Sequence, residues 1–107
     1  FLGVRERRER AEELVARFPE RADLITLEIT SPEAWKTALT EIEAKAGALG
    51  VLINNAGFHE DALLANMSQD QWSRVLDANL NAVFHGCQAV LPAMMRQRQG
   101  RIVNIAS

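Results

Sequence analysis

Gly50-Val51-Leu52-Ile53-Asn54-Asn55-Ala56-Gly57 is the stretch on which the reading of this chain turns. An apolar run of strand length ends abruptly in two amides, a small residue and a glycine. Core burial accounts for the apolar residues. It does not account for consecutive asparagines, whose amides need partners wherever they are even partly withdrawn from water. In an α/β protein the carboxyl end of a strand is also where ligands collect. The stretch therefore predicts a strand with a small-molecule site at its end.

Working outward, residues 5–18 suit a helix with Ala11, Leu14, Val15 and Phe18 as its apolar stripe and Pro19 as its stop. Residues 24–29 read as a strand ending near Thr30. Ser31 caps a second helix, with Pro32 in its first turn, Glu33 favourable to the dipole, and Trp35, Leu39, Ile42 and Ala46 as its buried stripe. Residues 57–67 form a loop, helical in part through 61–66, and Ser68 with Gln71 makes a capping box for a long helix reaching about Arg96. That helix would span about 40 Å at 1.5 Å per residue. Its stripe is Trp72, Val75/Leu76, Leu80, Val83/Phe84, Cys87, Val90/Leu91 and Met94, with Pro92 a bend or a last-turn marker. Gly100 leads into a final strand over 101–105. Strands and helices thus alternate, and crossovers of this length imply a parallel, doubly wound, three-layer α/β sheet. Phe1-Leu2-Gly3 reads as the tail of one strand and Ile102 to Ser107 as the end of another, so the expectation is the central part (1–107) of one Rossmann-like domain, incomplete in this chain.

Composition narrows the function classes. The chain has 107 residues, 48% of them hydrophobic, and a formal charge of -2, which gives no basic field for nucleic acid or a membrane surface. The arginines of residues 5–10 alternate with acids, as on a solvated helix face. A lone cysteine, Cys87, excludes an internal disulfide and a thiolate cluster, and neither His59 nor His85 has a ligating companion, so no metal site is expected. No apolar stretch is long enough to cross a bilayer and no signal peptide is visible, which makes the cytoplasm the expected compartment.

Two polar residues fit the pattern poorly. Asn79 falls on the apolar stripe of the long helix, either as a satisfied core amide or as a point where regular helix bonding is interrupted to hold a water or an active-site group. Ser107 stands at a carboxyl-terminal strand edge, where a serine is ordinarily a turn residue. It lies in no Gly-x-Ser-x-Gly elbow, and the chain holds no Gly-rich phosphate loop.

Three segments in order carry a resemblance: Asn54-Asn55-Ala56-Gly57, Asn79 within Leu76-Asp77-Ala78-Asn79-Leu80, and Gly100 to Ser107. Together they resemble the short-chain dehydrogenases/reductases. The stretch Gly57 to Leu64, followed by Met67-Ser68 and Trp72, is similar to the β-ketoacyl-acyl-carrier-protein reductase and acetoacetyl-CoA reductase branch. The resemblance implies that Asn79 holds a proton-relay water and that Ser107 orients the substrate carbonyl. It implies that Asn55, Ala56, Gly57 and Ile105 line a nicotinamide cofactor and that Glu28 and Ile29 stand where family members carry Asp-Val beside the adenine. Val4 falls where members that prefer NAD carry an acid, and Arg5 follows it, so NADP(H) is favoured over NAD(H), with Arg5 on the 2′-phosphate. The alternative is that Arg5 is the first salt-bridging residue of its helix.

The implied activity is reduction of a ketone, a 3-oxoacyl thioester on acyl carrier protein or another small ketone, by a homo-oligomeric parent (dimer or tetramer) that pairs through the long helix at Val83, Cys87 and Met94. Two departures stand against a complete site. The family's Thr-Gly-x-x-x-Gly-x-Gly turn would precede Phe1 and its Tyr-x-x-x-Lys pair would follow Ser107; the chain contains no tyrosine. An alternative is therefore a catalytically silent partner subunit of a reductase complex. A flavodoxin-like or receiver-like binding module is a third, which the lack of phosphoacceptor aspartates at strand ends opposes.

Overall fold

The computed structural model describes residues 1–106. Its elements run β1 (Leu2–Val4), α1 (Glu9–Arg17), β2 (Leu24–Thr26), α2 (Pro32–Ala46), β3 (Val51–Asn54), a 3-10 turn (Leu64–Asn66), α3 (Gln69–Leu76), a π-helical segment (Asp77–Asn81), α4 (Ala82–Gln97) and β4 (Arg101–Asn104). All strand pairing is parallel. Leu2, Gly3 and Val4 register with Leu24, Ile25 and Thr26, and Val51 to Asn54 register with Arg101 to Asn104.

The doubly wound α/β order is present, but the strands form two separate ladders, β1-β2 and β3-β4, rather than one sheet. The chain reverses direction across the sheet after β2, so right-handed crossovers put α1 on one face and α2 with α4 on the other. A cleft of about 830 Å³ separates the ladders, with Leu14 of α1 and Trp35 of α2 on its walls and Leu2, Val51 and Ile53 on its strand edges. The Cα radius of gyration, 15.5 Å, exceeds the roughly 13 Å of a compact domain this long. The cleft is the reason.

Several element boundaries correct the sequence reading. Helix α1 begins at Glu9 rather than residue 5, leaving Arg5 in the bend after β1. None of its residues is buried, and Leu14 and Phe18 are exposed because the stripe faces the open cleft and the molecule's edge. Strand β2 stops at Thr26 because β1 offers only three residues to pair with. Helix α2 starts at Pro32 behind the expected Ser31 cap, whose side chain accepts from Ala34 N at 3.2 Å. It buries Trp35, Ala38 and Ile42, while Leu39 is half-buried and Ala46 exposed.

Ile25, Ala38 and Ile42 form a small core with Leu27 and Leu49 packed against it. Ala82, Val90 and Met94 bury the inner face of α4. Helices α2 and α4 meet at Gly86, where a Cβ would lie 2.9 Å from the Trp35 ring and 3.1 Å from Asn54 Oδ1. Any larger residue would push the two helices apart. Trp35 also donates from its indole nitrogen to Ile29 O at 2.9 Å, so this packing fixes the chain just beyond β2.

Candidate functional site

The site is built where the carboxyl ends of β1, β2 and β3 meet the start of the π segment. A cavity of about 510 Å³ lies there, lined by Arg5, Glu28, Thr30, Gly57, Arg74 and Asp77 among others. Its volume falls within the range of small-molecule sites.

The two asparagines that end β3 divide their roles. Asn54 turns into the protein, donating to Asn104 Oδ1 at 2.9 Å and approaching Cys87 Sγ at 3.8 Å. It joins β3, β4 and α4 rather than facing a ligand. Asn55 is exposed and lies on the wall of the cleft between the ladders. Ala56 and Gly57 reach the cavity. Ile105 is exposed just past β4, and its N–H donates to Asn54 O at 3.0 Å, extending the ladder by one residue.

Asn79 sits inside the π-helical segment and is exposed, not a core amide. Its Nδ2 donates to Val75 O at 2.8 Å, the acceptor its own backbone N–H would use in an α-helix. The same nitrogen donates to Phe58 O at 2.6 Å. Both amide hydrogens are therefore committed, and Oδ1 faces the Gly57 backbone, where a Cβ would stand only 2.5 Å away. A widened turn, an amide filling the bond it vacates, and a glycine making room for that amide form one unit. Helix bonding is interrupted at Asn79, as one of the two sequence readings expected; π turns recur at functional sites.

Loop 57–67 is tied down by charge. Glu60 accepts from Arg74 Nη2 at 2.7 Å and from Arg74 Nε at 3.2 Å, a bidentate pair. Gln71 donates to Glu60 at 3.5 Å and accepts the Ser68 N–H at 2.8 Å, so the capping box also clasps the loop. The hydrogen bonds from Arg74 hold the Glu60 carboxyl below its ordinary value.

At the far side of the cavity Arg5 Nη1 approaches Glu28 Oε2 at 3.5 Å. Glu28 Oε1 accepts from the Thr30 hydroxyl at 2.8 Å, and chiefly for that reason the Glu28 carboxyl too lies below its ordinary value. Of the residues singled out in the sequence, Arg5, Glu28, Ile29, Ala56 and Gly57 share this cavity. Asn79 contacts its Gly57 wall, Asn55 and Ile105 lie outside its lining, and Ser107 lies outside the described residues. Thr30, Arg74 and Asp77 also line it and were not foreseen. Arg74 had a visible signal, an isolated cation five residues before the anomalous Asn79. Among the described residues no group of three His, Cys, Asp or Glu side chains could hold a metal ion, and no helix is long and apolar enough to cross a membrane.

A model of the short chain dehydrogenase family matches residues 1–107. The chain is 40% identical over 83 residues to the 3-oxoacyl-acyl-carrier-protein reductase of Vibrio cholerae, covering 78% of this chain and 34% of that protein. It is 34% identical over 106 residues to the Haemophilus influenzae protein of the same name, covering 99% of this chain and 44% of that one. A short-chain dehydrogenase from Streptomyces avermitilis superposes with a TM-score of 0.88 at 28% identity, over 98% of this chain and 38% of the other. A gluconate 5-dehydrogenase from Burkholderia cenocepacia, solved in complex with NADP and tartrate, gives 0.86 at 33% identity, over 99% and 42%. The chain spans between about a third and just under half of these proteins.

Proposed function

We propose, from the premise that this chain belongs to the short chain dehydrogenase family, that the longer protein containing it reduces a ketone to a hydroxyl with NADP(H), the ketone being a 3-oxoacyl thioester. The 510 Å³ cavity carries the cofactor part of this reading, because Arg5, exposed and beside Glu28, lines it together with Ala56 and Gly57. A planar, always charged fork suits a 2′-phosphate, and the residue before it, Val4, offers no acid to a ribose hydroxyl. Glu28 and Ile29 would flank the adenine, with Asn55, Ala56, Gly57 and Ile105 along the nicotinamide half. When bound, the cofactor supplies the hydride.

The chain's own residues orient and relay. Ser107 would donate to the substrate carbonyl as charge develops on it. Asn79 spends both amide hydrogens on Val75 and Phe58, so a relay water would have to donate to one of its oxygens rather than accept from its amide. Proton donation to the carbonyl oxygen falls to a group outside this sequence, which has no tyrosine. The substrate class follows the reductases named above. They lend no support to a silent-partner role. We further propose a cytoplasmic homo-oligomer, dimer or tetramer, acting on substrate carried by acyl carrier protein.

The full-length protein, purified and given acetoacetyl thioester, should oxidise NADPH faster than NADH. Oxidation of NADPH with simple ketones but with no 3-oxoacyl thioester would sink the substrate assignment. Equal use of both cofactors would sink the preference.

A further inference from the structure

We infer that Glu28 is a positioning residue that masks Arg5 and thereby sets how tightly, and how selectively, the protein holds a 2′-phosphorylated adenine nucleotide. The inference rests on the cofactor reading above and adds a second residue to it.

One oxygen of Glu28 is pinned and the other is aimed. Oε1 accepts both the Thr30 hydroxyl at 2.8 Å and the Thr30 N–H at 3.4 Å, while Oε2 faces Arg5 Nη1 at 3.5 Å. The pin is itself fixed: Ser31 N donates to Glu28 O at 3.1 Å and the Trp35 indole holds Ile29 O. Glu28 is thus a fixed arm, and Arg5, whose side chain is 63% exposed, is the mobile partner. Glu6 also approaches Arg5, at 3.8 Å, but its side chain is 77% exposed and it does not line the cavity. The Thr30 hydrogen bonds favour the ionised form of Glu28, so the carboxylate is charged at neutral pH.

A dianion brought to Arg5 therefore meets a cation already engaged and a fixed carboxylate beside it. The contact is single, long and partly exposed, so it opens readily; pairs of this kind change equilibria by about two- to fivefold. A nucleotide without the 2′-phosphate has no stake in Arg5 and does not feel the mask. The same acid that would flank the adenine thus weakens discrimination between NADPH and NADH.

The test is a binding titration, free of turnover, on the full-length protein. NADPH and NADH are compared, with adenosine 2′,5′-bisphosphate and adenosine 5′-monophosphate as probes of the adenine end alone. Glu28→Gln keeps the shape and the acceptor for Thr30 and removes the charge. It should tighten NADPH and the bisphosphate about two- to fivefold relative to NADH and the monophosphate, and lose this relative gain in the Arg5→Ala background. Thr30→Val, which unpins the arm, should shift affinities the same way by less, and serves if Glu28→Gln fails to fold. Equal shifts for all four ligands, no shift, or a gain that survives without Arg5 would overturn the masking role. Failure of the underlying reading is separate: Arg5→Ala alone would then leave NADPH affinity unaltered.

Discussion

Gly57 and Asn79 are 22 positions apart in sequence and share one small volume. Replacing Gly57 with Ala would set a methyl 2.5 Å from Asn79 Oδ1, with the amide unable to retreat unless it releases Phe58 O or Val75 O. Overpacking of this kind costs about 1–3 kcal/mol. The full-length Gly57→Ala protein should melt several degrees lower and, where a cost of about 1.4 kcal/mol falls on the site, bind cofactor about tenfold more weakly. Wild-type melting and titration curves would remove the constraint assigned to this glycine. The Glu60–Arg74 pair gives a second test, through pH. The folded Glu60 carboxyl is depressed below its ordinary 4.5, chiefly by the Arg74 hydrogen bonds. Its contribution is therefore complete above that value and is lost as pH falls through the depressed one. Glu60→Gln should lower the melting temperature at neutral pH, and the difference from wild type should close as the solution is acidified into that window. A difference independent of pH would show that the tether acts by shape alone. At this scale the chain was legible where chemistry conflicted with pattern, as at Asn79 and at the consecutive asparagines. It was not legible that Asn54 faces inward to Asn104 while Asn55 faces the cleft, because strand alternation gives opposite faces without saying which one α4 will cover.

The capping box at Ser68 and Gln71 was readable because its two reciprocal hydrogen bonds depend only on residues three apart, and the structure forms both. One reading of Asn79 allows for the interruption beyond it, but the apolar stripe expected of the helix runs through that point without a change of phase, and the phase is what the structure corrects. The π segment adds backbone within Asp77–Asn81 and turns α4 about its axis relative to a straight continuation of α3. The buried row of α4 becomes Ala82, Gly86, Val90 and Met94, while Phe84 and Leu91 lie outside. Of the expected contact residues Val83, Cys87 and Met94, the first two are half-buried and Met94 is buried. What α4 and the end of the π segment offer outward is a different stripe: Leu80 at 62%, Phe84 at 58%, Leu91 at 42% and Met95 at 71% exposure. Four large apolar side chains along one helical line form a patch that monomers seldom leave in water. If the full-length protein pairs through this line, Phe84→Asp should shift it to a smaller species in light scattering while its far-ultraviolet dichroism is unchanged. An unaltered oligomer would move the interface elsewhere.

For the whole molecule, alternation of strand and helix was legible from apolar runs and breaks, but the order of strands was not. Sequence spacing shows that β2 and β3 are joined by a crossover; it does not show that the crossover passes over a position instead of landing beside β1. The outcome is two ladders facing a cleft whose edges carry Leu2, Val51 and Ile53, with α1 above and α2 below. Ile53 is 59% exposed there, an unusual state for a residue in a parallel sheet with helices on both faces. In the doubly wound order one strand lies between the pair formed here by β1 and β2 and the pair formed by β3 and β4. A parallel strand seated in the cleft would pair both facing edges, cover Leu14 of α1, and turn two ladders into one sheet. The consequence is measurable by amide exchange. In the full-length protein, the amides along the facing edges of β1 and β3 should be protected as strongly as those within the Leu52–Ile102 ladder. In the 107-residue segment expressed alone, the same edge amides should exchange far faster than the ladder, because among the described residues no strand pairs with those edges. Equal protection in both proteins would mean that the ladders close on each other in solution and that the cleft is not a strand position.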